Sequence, residues 1–178
     1  MLFQPFPVLE TKHLNLIELS DEHTYDLFIM RNDIRMHEFT DTKPDVSIDD
    51  THRYIDKMIH GVNQDKWLIW AIEHKNVKKI IGTISIWNIN DNCAELGYGI
   101  HPDYQGYGYM QEALLEVVHF GLNNLGLKAL DAYTEVSNLR SKSLLEKCKF
   151  EYMNEVIDKG YNNNRDYKMM CYRIQNKI

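Results

Sequence analysis

Cysteine is scarce: Cys93, Cys148 and Cys171 are the only three, far apart and without a C-x-x-C pair. An odd, dispersed set argues against a disulfide framework and a zinc site, and fits a reducing cytoplasm. Long apolar runs are also missing, so no stretch approaches the roughly 20 residues that span a bilayer. The opening residues, Met1-Leu2-Phe3-Gln4-Pro5-Phe6-Pro7, hold no basic segment and are broken by prolines, unlike a secretory leader. Basic charge is not in excess, with 20 Lys and Arg against 26 Asp and Glu and a net charge of −6. That balance excludes a global field for nucleic acid, and serves either solubility or attraction of a cationic substrate. The eight histidines form no H-x-x-x-H or H-E-x-x-H pair, so no metal is indicated. Repeats, low-complexity tracts and linkers are absent. A soluble cytoplasmic chain with neither a membrane nor a direct nucleic-acid partner is expected, with one domain over 1–178.

What is present is periodicity. Residues 14–19 alternate apolar and polar (Leu14, Leu16, then Ile17 or Leu19), which predicts a strand. Ser20 or Asp21 caps a helix over 22–32 that buries Tyr25, Phe28 and Ile29. After Pro44 and Asp45, Ser47 with Asp50 three residues on opens a second helix, whose stripe is Ile48, Tyr54, Ile55, Met58 and Ile59. Two apolar strands, 67–72 and 80–87, flank a short polar connector and predict an antiparallel hairpin. A polar turn over 88–92 leads to a strand over 93–100. A helix over 108–124 ends at Gly126, followed by a strand over 129–135, a helix over 139–147 and strands over 151–158 and 166–174. The order β-α-α-β-β-β-α-β-α-β-β is that of a mixed α/β domain, with a right-handed parallel unit around the long helix.

The sequence centres on residues 101–113, His-Pro-Asp-Tyr-Gln-Gly-Tyr-Gly-Tyr-Met-Gln-Glu-Ala, which join a strand to a helix through Gly106 and Gly108. Such a junction is either a plain turn or an anion cradle made of backbone N–H groups and a helix N-terminus, since the loop has no Lys or Arg. A dinucleotide fingerprint fits poorly: Gln111 stands where the third glycine belongs, and residues 101–105 separate the strand from the first glycine. No G-K-[ST] follows, which excludes a Walker loop.

These residues resemble the GNAT acyl-CoA N-acyltransferases, and within them the RimJ/RimL branch of ribosomal-protein N-acetyltransferases. The resemblance runs through Leu9-Glu10-Thr11-Lys12-His13-Leu14, Trp70-Ala71-Ile72, Ile81-Gly82-Thr83-Ile84 and, most strongly, Glu95-Leu96-Gly97-Tyr98-Gly99-Ile100-His101-Pro102. The family's Q/R-x-x-G-x-G/A motif falls on Gln105, Gly108 and Met110, and its C-terminal signature on Asn138, Ser141, residues 145–147 and Phe150. Two residues depart from the pattern. Met110 replaces a glycine or alanine, so its side chain must turn away from the pyrophosphate. Lys149 replaces the glycine before Phe150, so it either takes a positive φ at ~1 kcal/mol or the helix end is remodelled.

The resemblance implies a mostly antiparallel sheet of about seven strands with about four helices, splayed between two central parallel strands. It implies acetyl-CoA as co-substrate, with Gly99 and Ile100 along pantetheine, Gln105, Gly106, Tyr107, Gly108, Tyr109 and Met110 around the pyrophosphate, and Asn138 on the pantetheine arm or organising its turn. The amine attacks the thioester directly. Glu95 is then the candidate base, or else a surface carboxylate, and Ser141 the candidate acid, or else a helix cap. Leu145 stands where many relatives carry an acidic tyrosine. Cys148 reads as core, and Tyr104, Tyr107, Tyr109 and Trp87 line the groove or pack. Residues 32–48 and 161–164 would shape the acceptor groove. The acceptor expected is the N-terminal amine of a ribosomal protein. The alternatives are a small amine, such as a polyamine or aminoglycoside, and a non-catalytic acyl-CoA-binding module. A homodimer is compatible with the resemblance.

Overall fold

A computed structural model of the chain describes residues 3–176, and Met1, Leu2, Lys177 and Ile178 lie outside the described residues. One sheet of eight strands organises them: β1 (Leu9–Glu10), β2 (Leu14–Glu18), β3 (Leu68–His74), β4 (Lys79–Asn90), β5 (Cys93–Ile100), β6 (Ala129–Glu135), β7 (Glu151–Lys159) and β8 (Asp166–Gln175). Their spatial order is β1-β2-β3-β4-β5-β6-β8-β7. The eighth strand, beyond the seven expected, is the two-residue β1, which pairs with β2 through Leu9 and Leu16. Every neighbouring pair is antiparallel except β5 and β6.

Helices cover both faces. On one side α3 (Tyr109–His119, continued by a π turn over Phe120–Asn124) and α4 (Leu139–Lys147) bury Leu14, Trp70, Ile84, Leu114 and Leu130. On the other, α1 (Thr24–Asn32) and α2 (Ile48–Asn63) enclose Leu27, Ile55, Ile69 and Ala71, over β2 to β4 only. The helix starts follow local chemistry. The Asp50 carboxylate accepts the N–H groups of Val46 and Ser47 at 3.0 and 2.9 Å, which pairs with the Ser47 cap as the sequence predicts.

Three local expectations are corrected. In α1 the buried residues are Thr24, Leu27 and Met30, whereas Tyr25 and Ile29 are 65% and 42% exposed. Thr24 can face inward because its hydroxyl donates to the Asp21 carbonyl at 2.6 Å, which satisfies the group locally. In α2, Ile48 lies at the exposed first position and Thr51 and Val62 complete the stripe. The turn before β5 is shorter than 88–92, because β4 runs on to Asn90 and only Asp91 and Asn92, both at positive φ, make the reversal.

Candidate active site

The site begins where the sheet comes apart. β5 and β6 pair over four positions, from Cys93 with Ala129 to Leu96 with Ala132, and no further. Beyond Leu96, β5 continues along β4 (Gly97 with Ser85, Gly99 with Thr83) while β6 continues along β8 (Thr134 with Met170). The two strands therefore diverge and leave one edge of residues 97–100 open. Which groups face that opening follows from strand parity. His101 N–H donates to the Ile81 carbonyl at 2.7 Å, so alternate residues inward from it, Gly99 and Gly97, aim their polar groups at β4. The backbone groups of Tyr98 and Ile100 face the cleft. Gly99 contributes space instead, since a Cβ there would stand 3.3 Å from the Met36 Cε.

At the open end of β5 the glycine loop leads into α3. Gly106 and Gly108 lie at φ 86° and 84°, a region that costs any residue with a Cβ about 1–2 kcal/mol. Gly108 is the left-handed residue from which α3 starts, and its carbonyl accepts from Glu112 N–H at 3.0 Å. Among the described residues the N–H groups of Gly106, Tyr107, Gly108, Tyr109 and Met110 have no protein acceptor. Five such donors at the positive end of a helix form an anion cradle. Gln105 shapes the cradle: its side-chain amide donates to the Ile100 carbonyl at 3.2 Å. Met110 points its side chain into the core, 8% exposed, which leaves its N–H at the loop. Tyr107 is 69% exposed and stacks on Tyr109, their centroids 5.8 Å apart.

The start of α3 is fixed from below. Glu112 accepts from His13 N–H at 2.7 Å, from His13 Nδ1 at 2.8 Å and from the Thr11 hydroxyl. Burial pushes this carboxyl up, but those three bonds outweigh it and the net shift is downward. The carboxylate also sits in the first turn of the helix, where the dipole favours it.

Helix α4 closes the cleft from the β6 side. Asn138 accepts the Ser141 N–H at 3.1 Å through its side-chain carbonyl, and its NH2 group makes no protein hydrogen bond among the described residues. One half of the amide thus organises the turn and the other half remains available. Ser141 Oγ lies 2.9 Å from the Tyr98 hydroxyl. Burial pushes the Tyr98 phenol up to about 12, although the serine contact opposes the shift. Leu145 and Cys148 are buried, and burial raises the Cys148 thiol to about 11, which places it in the core as expected.

The opposite face of β5 carries Glu95, whose carboxylate accepts from Asn88 Nδ2 at 2.6 Å. It sits between Trp87 on β4 and Asp131 on β6, and Asp131 is held by Arg173 at 2.6 and 2.7 Å. At the far end of β8 from Arg173, the connection between α1 and α2 meets the turn from β7 to β8. Asp41 in that connection accepts the N–H groups of Tyr161, Asn162 and Asn163 at 2.7, 3.0 and 2.9 Å. The bond from Asn162 leads in holding its carboxyl below the usual range. Beside this latch lies a cleft of about 400 Å³ lined by Ile34, His37, Glu38, Lys43, Asn163, Arg165 and Tyr167, among others.

Sequence reasoning gathered most of these groups and missed Tyr98, Asp41 and the Thr11–His13–Glu112 cluster. Tyr98 could have been found from the strand pattern, since it alternates with Leu96 and Ile100 toward α4.

A sheet split between parallel strands, with an anion cradle and helix N-terminus at the mouth of the split, defines an acyl-CoA-type transferase fold. The acetyltransferase (GNAT) domain profile matches residues 13–151, and the chain belongs to that family. It is an acetyl-CoA-dependent N-acetyltransferase. The uncharacterized N-acetyltransferase YoaA of Bacillus subtilis is 27% identical over 171 residues, covering 95% of this chain and 97% of that protein. RimL, a ribosomal L7/L12 alpha-N-protein acetyltransferase solved with coenzyme A, shares the fold with a TM-score of 0.83 at 16% identity, over 95% of this chain and 98% of that one. The microcin C7 self-immunity acetyltransferase MccE, solved with acetyl-CoA and AMP, does so with a TM-score of 0.83 at 20% identity, over 93% of each chain.

Proposed function

We propose that the acceptor is the N-terminal α-amine of a ribosomal protein, with Glu95 as base and Ser141 as acid. The observation that carries this reading is the setting of Glu95. It is a partly exposed carboxylate, held by the neutral Asn88, on the strand that borders the split. A carboxylate so placed has an oxygen within reach of an amine entering at the split, and an amine that is already partly neutral asks least of it. At pH 7 an α-amine of pKa ~8 is roughly 10% neutral, whereas a lysine of pKa ~10.4 is about 0.04% neutral. The fold shared with RimL supports the same class of acceptor.

The residues present suit the co-substrate. The free N–H groups of Gly106 to Met110 match a pyrophosphate, and the Tyr98 and Ile100 backbone edge with the Asn138 amide matches the pantetheine amides. Acetyl-CoA supplies the thioester when bound. Glu95 would take the proton that the amine sheds, Tyr98 N–H or Ile100 N–H would stabilise the developing oxyanion, and Ser141 Oγ–H would hydrogen-bond the departing sulfur, any proton it passes on being replaced from water so that coenzyme A leaves as the thiol. A second reading, acetylation of a small amine, is favoured by the open cleft of about 400 Å³, a size that admits a small molecule.

Comparison of N-terminal acetylation across the proteome, with and without the protein, tests the choice. Loss of acetylation on a ribosomal N-terminus is expected, and an unchanged N-terminal profile with altered polyamine or aminoglycoside acetylation would overturn it. Thiol release by Glu95→Gln and Ser141→Ala on the accepted amine tests the two roles.

A further inference from the structure

Tyr98 and Ser141 meet across the split, one from β5 and one from the first turn of α4, 43 residues apart in the chain. Their oxygens, 2.9 Å apart, form the one side-chain hydrogen bond that either hydroxyl makes among the described residues. Two hydroxyl hydrogens share one bond, so one hydrogen is left over, and its position depends on which group donates. If Ser141 donated, the phenol hydrogen would be left without an acceptor on the side of the sheet packed by α3 and α4, where Tyr98 borders the core. Burial there favours the arrangement that uses that hydrogen. A phenol is also a stronger donor than an aliphatic alcohol. Both arguments make Tyr98 the donor and Ser141 Oγ the acceptor, so that the serine keeps its own hydrogen for a further partner.

We infer that Tyr98 is a positioning residue for the transfer reaction: by donating to Ser141 Oγ it fixes the serine rotamer and turns the serine O–H outward, as a hydrogen-bond donor for the sulfur of coenzyme A. The inference rests on the role proposed above for Ser141, and is independent of which amine is the acceptor. Tyr98 itself loses no proton. Its phenol, held well above the ordinary range by burial, stays protonated at working pH, and Cys148 at the end of α4 is likewise kept neutral. Leu145 is fully buried one turn beyond Ser141 on the same helix, so that position of α4 offers no hydroxyl, and the phenol that meets Ser141 comes from β5.

The test uses coenzyme A bound to the full chain, with the thiolate absorbance of the bound thiol followed against pH. In the wild type the bound thiol should titrate below free coenzyme A, because a donor at the sulfur favours the thiolate. Ser141→Ala should raise that titration and Ser141→Thr, which keeps a hydroxyl, should largely preserve it. Tyr98→Phe should raise it in the same direction and lower kcat about three- to tenfold, the worth of one hydrogen bond, with KM for acetyl-CoA nearly unchanged. The double variant should match Ser141→Ala alone, since Tyr98 acts through Ser141. A Tyr98→Phe titration equal to that of the wild type, or losses that add in the double variant, would overturn the inference. If Ser141→Ala leaves the thiol unmoved, the role of Ser141 itself fails and the inference falls with it. Should Tyr98→Phe not fold, a wild-type bound thiol that titrates no lower than free coenzyme A overturns the inference.

Discussion

Replacing Lys149 by glycine should stabilise the protein. Lys149 sits at φ 68° just past α4, where its N–H donates to the Glu146 carbonyl at 3.1 Å and Phe150 N–H donates to the Leu145 carbonyl at 3.0 Å. This is the pair of bonds that closes a helix through a left-handed residue, with buried Leu145 and Phe150 as its apolar contact. The cap is intact, so the cost lies in the Cβ of Lys149 at positive φ, about 1–2 kcal/mol. Glycine removes that cost and returns part of it, about 0.5–1 kcal/mol, as greater freedom of the unfolded chain. The net gain is about 0.5–1 kcal/mol. Unfolding entropy scales as about 2.1 cal/mol/K per residue, so for this chain Tm should rise by about 1–3 °C. Calorimetric unfolding of Lys149→Gly beside Lys149→Ala decides the matter. The alanine variant loses the same charge but keeps the Cβ, and should show no rise. A glycine variant no more stable than the alanine one would refute the reasoning.

Three other changes probe the cradle, the core and the proposed acceptor wall. Gly108→Ala places a Cβ at φ 84° in open space, so it should cost about 1 kcal/mol of stability and weaken acetyl-CoA binding in calorimetry at least tenfold; unchanged affinity would remove the loop from the site. Thr134→Val removes a hydroxyl that is 3% exposed and makes no hydrogen bond among the described residues, and should raise Tm by about 2–4 °C, whereas a fall would reveal an acceptor for it. Asp41→Asn weakens the grip on the β7–β8 turn and should raise KM for the acceptor severalfold while leaving KM for acetyl-CoA alone. Because the folded carboxyl is held low, the stability contributed by this grip is present above about pH 4 and is lost as pH falls through the folded value. Acid unfolding of Asp41→Asn should therefore depend less steeply on pH than that of the wild type.

What the sequence made legible was whatever depends on near neighbours. Alternation and capping residues located the strands and helices, and the spacing of Gln105, Gly106 and Gly108 located the cradle, because a turn or a helix start is decided within a few residues. The inward face of α1 was misread because threonine is ordinarily a poor core residue, and its acceptance at position 24 depends on the Asp21 carbonyl one turn back. The same limit applies to the chemistry with more force. Glycine at 97 and 99 reads as a bulge or a close approach, yet parity, fixed by the single bond from His101 to Ile81, gives the open edge to Tyr98 and Ile100. Whether the Tyr98 hydroxyl meets a donor, an acceptor or neither depends on a helix that starts 41 residues later and is aimed by an Asn138 cap. Likewise Asp41 becomes a latch only because a turn at 161–163 folds back to it. The backbone groups proposed to meet acetyl-CoA lie within a few residues of one another in sequence, whereas those proposed to move protons or shape the acceptor are assembled by pairs distant in sequence. Acetyl-CoA binding should therefore withstand substitution of Tyr98 or Asp41, while turnover and acceptor choice should not.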